Sequence, residues 1–340
     1  MKALLIGGTG TISAAVSKRC AALGWELTLV NRGNRPAFAP AGARVLNADA
    51  HDEQAVRAVL GDERFDVTAD FIAFTPKDVE RDIRLFSGRT GQYVFISSAS
   101  AYQKPLASPW ITEGTPLANP FWQYSRDKIA CEDALMRAYR ETGFPVTIIR
   151  PSHTYGCRSV PVALHGQNGS FAVLERIRTG RRVIVPGDGL TLWTLTHSDD
   201  FAVAFCGLMG NAHARGEVFH ITSDESLTWN QVYEAIGAAL GAKPRLTHIA
   251  SETLAKLCPA YLGELIGDKS NTVLFDNSKI KRAVPEFKAQ TRFDQGVRQA
   301  VRYIYAHPEC QTADPEFDAW CDAVIGQYER MTGAMPKLKR

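Results

Sequence analysis

No apolar run in the 340 residues is long enough for a membrane helix, no two cysteines form a Cys-x-x-Cys pair, and no long block of like charge occurs. A spanning helix needs about 20 apolar residues, so no membrane segment is expected. Met1-Lys2 runs straight into an apolar strand that ends in a glycine turn, so this start reads as structure and not as a signal peptide. The seven cysteines, Cys20, Cys131, Cys157, Cys206, Cys258, Cys310 and Cys321, are odd in number and widely spaced. They read as reduced thiols, and the protein as soluble and cytoplasmic. Net charge is only +3, with basic residues scattered apart from Arg181-Arg182, Lys279 to Arg282 and Lys337 to Arg340, so nothing in the charge implies nucleic acid. His197 has no second His, Cys or carboxylate at metal-ligand spacing, and no metal is expected.

What is present is 45% hydrophobic residues, enough for a full core, arranged in a repeating pattern. Ala3 to Ile6 is a continuous apolar run, Gly7-Gly8-Thr9-Gly10 is a turn, and a helix-like stretch continues to Leu23 with Gly24 as its stop. Further strands are expected at Glu26 to Asn31, Arg44 to Leu46, Val67 to Ile72, Tyr93 to Ser97 and Pro145 to Ile149. Helices are expected at Asp52 to Leu60, from Thr75-Pro76 to Gly88, and at Ser125 to Arg140. Apolar strands alternating with helices require a parallel sheet covered on both faces, that is, an α/β doubly wound (Rossmann) sheet. Residues 1–151 form this core, to which about 191–222 returns, and residues 152–335 form mainly a smaller C-terminal α/β substrate lobe. Within that lobe Thr228 and Gln231 make a capping box for a helix ending at Gly241, Arg245 to Ile249 reads as a strand, and Phe293 to Tyr305 and Ala319 to Met331 as terminal helices. The segment from Pro336 reads as frayed.

Gly7, Gly8 and Gly10 let the backbone turn sharply and approach a pyrophosphate, whose charge is met by amides at the next helix N-terminus, around Thr11 and Ile12. A third glycine would fall at Ser13. At the end of the second strand, where a carboxylate would grip an adenosine ribose, the chain has Asn31-Arg32, with Arg35 close behind. A guanidinium there suits a ribose phosphate; stacking of Arg32 on adenine is the alternative, so the cofactor is NADP or NAD with NADP slightly favoured. Downstream, Tyr124 precedes Lys128 by four residues and shares a helix face with it, so the ammonium can stabilise a phenolate. With Ser98 as a hydroxyl partner, the tyrosine becomes a usable proton carrier.

These motifs resemble the extended short-chain dehydrogenase/reductase superfamily, in its NAD(P)-dependent epimerase/dehydratase branch, over nearly the whole chain. Gly7 to Ile12 is similar to the family's phosphate loop, Asp49-Ala50 to its adenine contact, and Phe71-Ile72-Ala73 to the strand end under the cofactor. Phe95 to Tyr102 resembles the serine strand, with Ser98 in the catalytic place. Tyr124 to Lys128 resembles the Tyr-x-x-x-Lys helix, and Arg150 to Gly156, with Pro151 and His153, the segment that closes over the nicotinamide. Gly187 to Gly189, Thr196 to Ala202 and Asp276 to Lys279 resemble later landmarks.

The resemblance implies epimerase- or dehydratase-like redox chemistry at a hydroxyl or ketone of a sugar-like or polyol-like small molecule, with Ser98, Ser100, Tyr102, Asn168 and Trp193 at the substrate. Ser100 and Tyr102 have loop-anchoring as an alternative, His153 a backbone-satisfied role, Asn168 a helix cap, and Trp193 core packing. Where branch members carry an arginine for a substrate diphosphate, this chain reads Leu192-Trp193-Thr194, a departure that argues against a nucleotide sugar. A homodimer is compatible with the resemblance. Two alternatives stay open. One is a one-way NADPH-dependent ketone or aldehyde reductase. The other is a non-catalytic dinucleotide sensor or RNA platform, as in the similar chloroplast stem-loop RNA-binding proteins.

Overall fold

Alternation along each strand explains why its residues are almost all apolar. In Lys2–Ile6, Ala3 and Leu5 join one buried cluster while Leu4 and Ile6 join another on the opposite face. The computed structural model describes residues 1–334, so the reading of the segment from Pro336 lies outside the described residues. Seven strands form one sheet in the order Val218–Ile221, Val146–Pro151, Tyr93–Ile96, Val67–Asp70, Lys2–Ile6, Glu26–Asn31, Arg44–Asn47. Every neighbouring pair is parallel. Helices Thr11–Ala22 and Ser198–Leu208 contribute to the cluster on one face; Glu53–Leu60, Pro76–Phe86 and Gln123–Thr142 contribute to the other. Strand order reverses between Lys2–Ile6 and Val67–Asp70, and such a switch point opens a crevice at the carboxyl ends of the strands.

The chain divides into two compact units. The first comprises Met1–Tyr155, Thr194–Ser226 and Val273–Thr291, so the sheet unit takes back two later segments, of which Val273–Thr291 was expected in the second lobe. In this unit His153–Tyr155 pairs in parallel with Leu195 to His197, and Leu274–Phe275 with Trp110–Ile111. The second unit comprises Gly156–Trp193, Leu227–Thr272 and the chain from Arg292. Its strands Arg182–Pro186 and Arg245–Ile249 are parallel neighbours. Helix Trp229–Leu240 starts on the Thr228/Gln231 capping box and stops at Gly241, whose φ of 68° is left-handed and favours glycine. The last helix, Pro315–Gly333, begins four residues earlier than the expected start at Ala319, because the Asp314 carboxylate accepts the Phe317 amide and Pro315 fits the first turn. This unit has a 270 Å³ cavity lined by residues that include His165, Tyr261, Glu264 and Trp320. Among the described residues no helix is long and apolar enough to cross a membrane, and no group of three or more His, Cys, Asp or Glu could hold a metal.

Candidate active site

The turn after the first strand is shaped by its lack of side chains. Gly7 has φ of 77°, and a Cβ there would come within 2.6 Å of Ile72 Cγ2; a Cβ on Gly8 would come within 2.7 Å of Leu29 Cδ2. Ser13, at the place of a third glycine, has a hydroxyl that donates to the Gly7 carbonyl at 2.5 Å and accepts the Gly10 amide at 2.7 Å. Ser17 donates to the Gly8 carbonyl at 2.8 Å. The departure from glycine therefore staples the loop from inside the helix it precedes.

Beside this turn lies a cavity of about 360 Å³ lined by Gly7, Thr9, Gly10, Asn31, Arg32, Arg35, Asp49, Ala50, His51, Ile72 and Phe74 among others. It gathers the glycine turn, the basic end of the second strand, Asp49-Ala50 and the loop after Asp70. Arg32 and Arg35 bring positive charge, and no acidic residue stands at Asn31. A helix N-terminus, two guanidiniums and a glycine-rich turn fit the pyrophosphate and ribose end of a dinucleotide. Thr11 and Ile12 open the helix Thr11–Ala22 at that turn. Pro151 is buried at the end of its strand, and His153 is half-buried in the short strand paired with Leu195.

The loop following Asp70 is clamped by two carboxylates. Asp70 accepts the Ile72 and Ala73 amides at 2.6 and 3.0 Å, and Asp78 accepts the Phe74 and Thr75 amides at 3.0 and 2.9 Å. This clamp ends the strand at Asp70, two residues before the expected Ile72. Behind it, Arg81 bridges Asp70 at 3.2 Å and Asp82 at 2.8 Å, and the Tyr93 hydroxyl donates to Asp82. Burial and the adjacent Asp70 carboxylate push the Asp82 carboxyl well above its ordinary range. Burial also pushes Asp78 upward, but hydrogen bonds from the Thr75 and Phe74 amides, the Thr75 hydroxyl and His51 together outweigh it and leave that carboxyl below the ordinary range.

The clamp aims the Ala73 carbonyl at Lys128. Lys128 Nζ donates to Ala73 O and Ile96 O, each at 2.7 Å, and lies 4.6 Å from the Phe74 ring centre and 5.8 Å from that of Tyr124. An ammonium has three donors; two are engaged on these carbonyls. Burial lowers the Lys128 pKa to about 8. Tyr124 is half-buried between Trp122, at 4.9 Å between ring centres, and Phe74, at 6.4 Å. Both residues ride on Gln123–Thr142, which starts two residues before the expected Ser125 with no side-chain cap, so no capping signal marked its start.

Ser98 stands at the end of the strand Tyr93–Ile96, half-buried, with Ser100 Oγ 2.8 Å away. Ser125 Oγ donates to Ser100 Oγ at 2.8 Å, and Asn119 Nδ2 donates to the Ser100 carbonyl at 2.8 Å and to Ser125 Oγ at 3.3 Å. Ser98, Ser100, Tyr124 and Lys128 thus share one unit with the dinucleotide-type cavity. Tyr102 is placed differently: it is fully buried, its hydroxyl meets His220 Nδ1 at 3.2 Å, and the Arg150 guanidinium lies 4.9 Å from its ring centre. Arg150 in turn pairs with Glu132 at 2.6 Å. The loop-anchoring alternative accounts for Tyr102, whose surface is wholly taken by protein.

Asn168 and Trp193 belong to the second unit. Asn168 gives its backbone amide to Asp314 and its side-chain amide to Ala313 O, pinning a turn to the start of the last helix; the cap of Phe171–Arg178 is Ser170 instead. Trp193 is 3% exposed and stacks on Trp229 with ring centres 5.7 Å apart, so packing and not a platform for a sugar describes it here. Asp70, Asp78, Arg81, Asp82, Asn119 and Ser125 were missed by the sequence reading. Only the Thr75-x-x-Asp78 spacing carried a readable signal, a capping box.

Comparison with known proteins identifies the family. The model of the NAD dependent epimerase/dehydratase family matches residues 3–222. The chain is 25% identical over 289 residues to 2'-dehydrokanamycin reductase of Streptomyces kanamyceticus, covering 85% of this chain and 80% of that protein. It is 28% identical over 261 residues to the chloroplast stem-loop binding protein of 41 kDa b of Arabidopsis thaliana, covering 73% and 65%. Two solved structures share the fold. One is dTDP-glucose 4,6-dehydratase of Bacillus anthracis in complex with NAD, with TM-score 0.73, 18% identity, and 91% of this chain and 98% of that chain covered. The other is UDP-glucose 4-epimerase of Thermus thermophilus in complex with NAD, with TM-score 0.71, 19% identity, and 90% and 99% covered. The chain belongs to the NAD dependent epimerase/dehydratase family and is an NAD(P)-dependent enzyme of the short-chain dehydrogenase/reductase type.

Proposed function

We propose that this enzyme interconverts a hydroxyl and a ketone on a sugar-like or polyol-like small molecule, with Tyr124 as proton carrier, Lys128 as its electrostatic partner and Ser98 as the hydrogen-bond donor to the reacting oxygen. The observation that carries the reading is the Lys128 ammonium, fixed by Ala73 O and Ile96 O beneath the Phe74 and Tyr124 rings. A buried cation held this rigidly stabilises negative charge on a nearby phenol without reorganising. The nicotinamide cofactor, when bound, supplies hydride exchange with the carbinol carbon. Gly7, Gly10, the Thr11–Ala22 N-terminus, Arg32, Asp49 and Ala50 hold its nucleotide end, and Arg32 with Arg35 favours a ribose phosphate, hence NADP over NAD.

Replacing Tyr124 with Phe tests the assignment. Turnover is expected to fall roughly a hundredfold to ten-thousandfold, the range for loss of a general acid-base group, with dinucleotide affinity little changed. Unchanged turnover would discard Tyr124 as the proton carrier.

A second reading, a one-way reductase, is supported by the 2'-dehydrokanamycin reductase relative, which matches over most of both chains. The two readings differ in cofactor economy. A protein that turns over its substrate without added dinucleotide retains and recycles its cofactor, as epimerisation and dehydration require. One that consumes added NADPH mole for mole is a reductase. Mass spectrometry of the small molecules that copurify with the native protein identifies the substrate class directly.

A further inference from the structure

The chain of polar side chains behind Ser98 starts at an amide whose orientation is fixed by backbone groups of unadjustable polarity. Asn119 Oδ1 accepts the Phe121 amide at 3.2 Å, while its Nδ2 donates to the Ser100 carbonyl at 2.8 Å. A backbone N–H can only donate and a carbonyl can only accept, so the Asn119 amide has one orientation. Its Nδ2 therefore donates to Ser125 Oγ at 3.3 Å, and Ser125 donates to Ser100 Oγ at 2.8 Å. Ser125 is fully buried and Ser100 is 3% exposed, so no bulk water competes for these bonds.

The 2.8 Å contact between Ser98 Oγ and Ser100 Oγ is compatible with either donor; because Ser100 Oγ already accepts the Ser125 hydrogen bond and is 3% exposed, Ser98 Oγ is where its own hydrogen can be satisfied. Ser98 Oγ also accepts the Ser100 amide at 3.1 Å. A hydroxyl has two acceptor sites and one donor. When Ser100 Oγ donates, both acceptor sites of Ser98 are filled, and the remaining capacity of that oxygen is its proton.

We infer that Asn119, Ser125 and Ser100 form a one-way relay of hydrogen bonds that commits Ser98 to donate, and so to bind a ketone or developing alkoxide oxygen in preference to the proton of an alcohol. Asn119, Ser125 and Ser100 are positioning residues, acting through Ser98. The inference deepens the proposed function and rests on Ser98 facing the substrate. Each donor in the chain polarises the next, so Ser98 is a stronger and better aimed donor than an isolated serine. Proton transfer is divided accordingly: Tyr124 moves the proton, and Ser98 stabilises the charge on oxygen while keeping its own.

Neutron diffraction from perdeuterated crystals reads the relay without any ligand. Deuterium on Ser125 Oγ is expected to point to Ser100, and that on Ser100 Oγ to Ser98. Deuterium on Ser98 pointing to Ser100 would overturn the relay.

Kinetics give a second measure, with oxidation of NADPH by a ketohexose as the probe reaction. Ser100→Ala and Ser125→Ala are each expected to lower kcat roughly tenfold with dinucleotide KM unchanged, and Ser100→Thr, which keeps the hydroxyl, to restore it. Asn119→Asp puts an acceptor where the chain starts with a donor, so its kcat is expected to rise as pH falls and the new carboxyl becomes protonated. A merely structural role predicts no such pH limb. If both alanine variants stay within about twofold of the parent while Ser98→Ala is impaired, the relay is packing only. If Ser98→Ala itself is unimpaired, the proposed function fails, and the neutron result still decides the direction of the hydrogen bonds.

Discussion

Lys128 carries the clearest pH signature at the scale of single residues. Its ordinary value of 10.5 is lowered to about 8 by burial, so in the cofactor-free enzyme the ammonium begins to lose its proton only a little above neutrality. Because kcat/KM reports the free enzyme, it is expected to decline above about pH 8 as this cation disappears. Lys128→Arg, whose guanidinium does not titrate in that range, should remove the limb even where it lowers the rate. Profiles of kcat/KM against pH for the two proteins check this. In the cavity beside the glycine turn, Arg32→Ala is expected to raise KM for NADPH roughly 10- to 100-fold while leaving KM for NADH nearly unchanged, the loss expected of one charge-assisted hydrogen bond. Equal losses for both dinucleotides would assign Arg32 to adenine stacking.

At the scale of elements, the loop from Phe71 to Thr75 depends on carboxylates that no periodicity marks. Asp70→Ala removes the acceptor of two amides and one partner of the buried Arg81, and is expected to cost about 3–5 kcal/mol in urea unfolding. Asp70→Asn keeps an oxygen for the amides and should cost less. The repeating strands and helices were legible because each strand is buried on both faces, which writes continuous apolar runs such as Ala3 to Ile6 into the chain. The glycine turn was legible because so close an approach of backbone to its neighbours dictates residue type, and Ser98, Tyr124 and Lys128, which the structure places in the same unit, were singled out by their types and spacing. Asp70, Arg81 and Asp82 were not, since a buried ion cluster looks in sequence like any exposed charged stretch. Asn119 was hidden for a related reason: it lies in irregular chain, where neither a two-residue nor a 3.6-residue period applies. Tyr102 and Trp193 have residue types that suit binding, but their burial depends on tertiary neighbours, His220 and Trp229, that are distant in sequence.

For the molecule as a whole, His220 links titration to stability. Within the first unit its Nε2 lies 2.7 Å from the Asp276 carbonyl and therefore carries the proton, while Nδ1 accepts from Tyr102. This ties the sheet-edge strand Val218–Ile221 to the returning segment Val273–Thr291. Burial holds the imidazole below its ordinary value of 6.5, against the upward pull of Glu113 and the Asp276 carbonyl. With a depressed folded value, the unfolded chain binds more protons as pH falls below about 6.5, so this stabilisation is present above that pH and lost beneath it. Thermal unfolding of the wild type is expected to drop more steeply between pH 7 and pH 5 (roughly the histidine range) than that of His220→Asn. Parallel curves would remove His220 from the acid response.

The two ends of the dinucleotide cavity are built on different strands. Arg32 and Arg35 follow Glu26–Asn31, whereas Ile72 and Phe74 lie on the loop fastened by Asp70 and Asp78, whose Ala73 carbonyl accepts from Lys128. Under the proposed function, coenzyme choice and proton chemistry are therefore modular, and a designer could retune the first by exchanging a surface turn while the machinery of turnover stays intact.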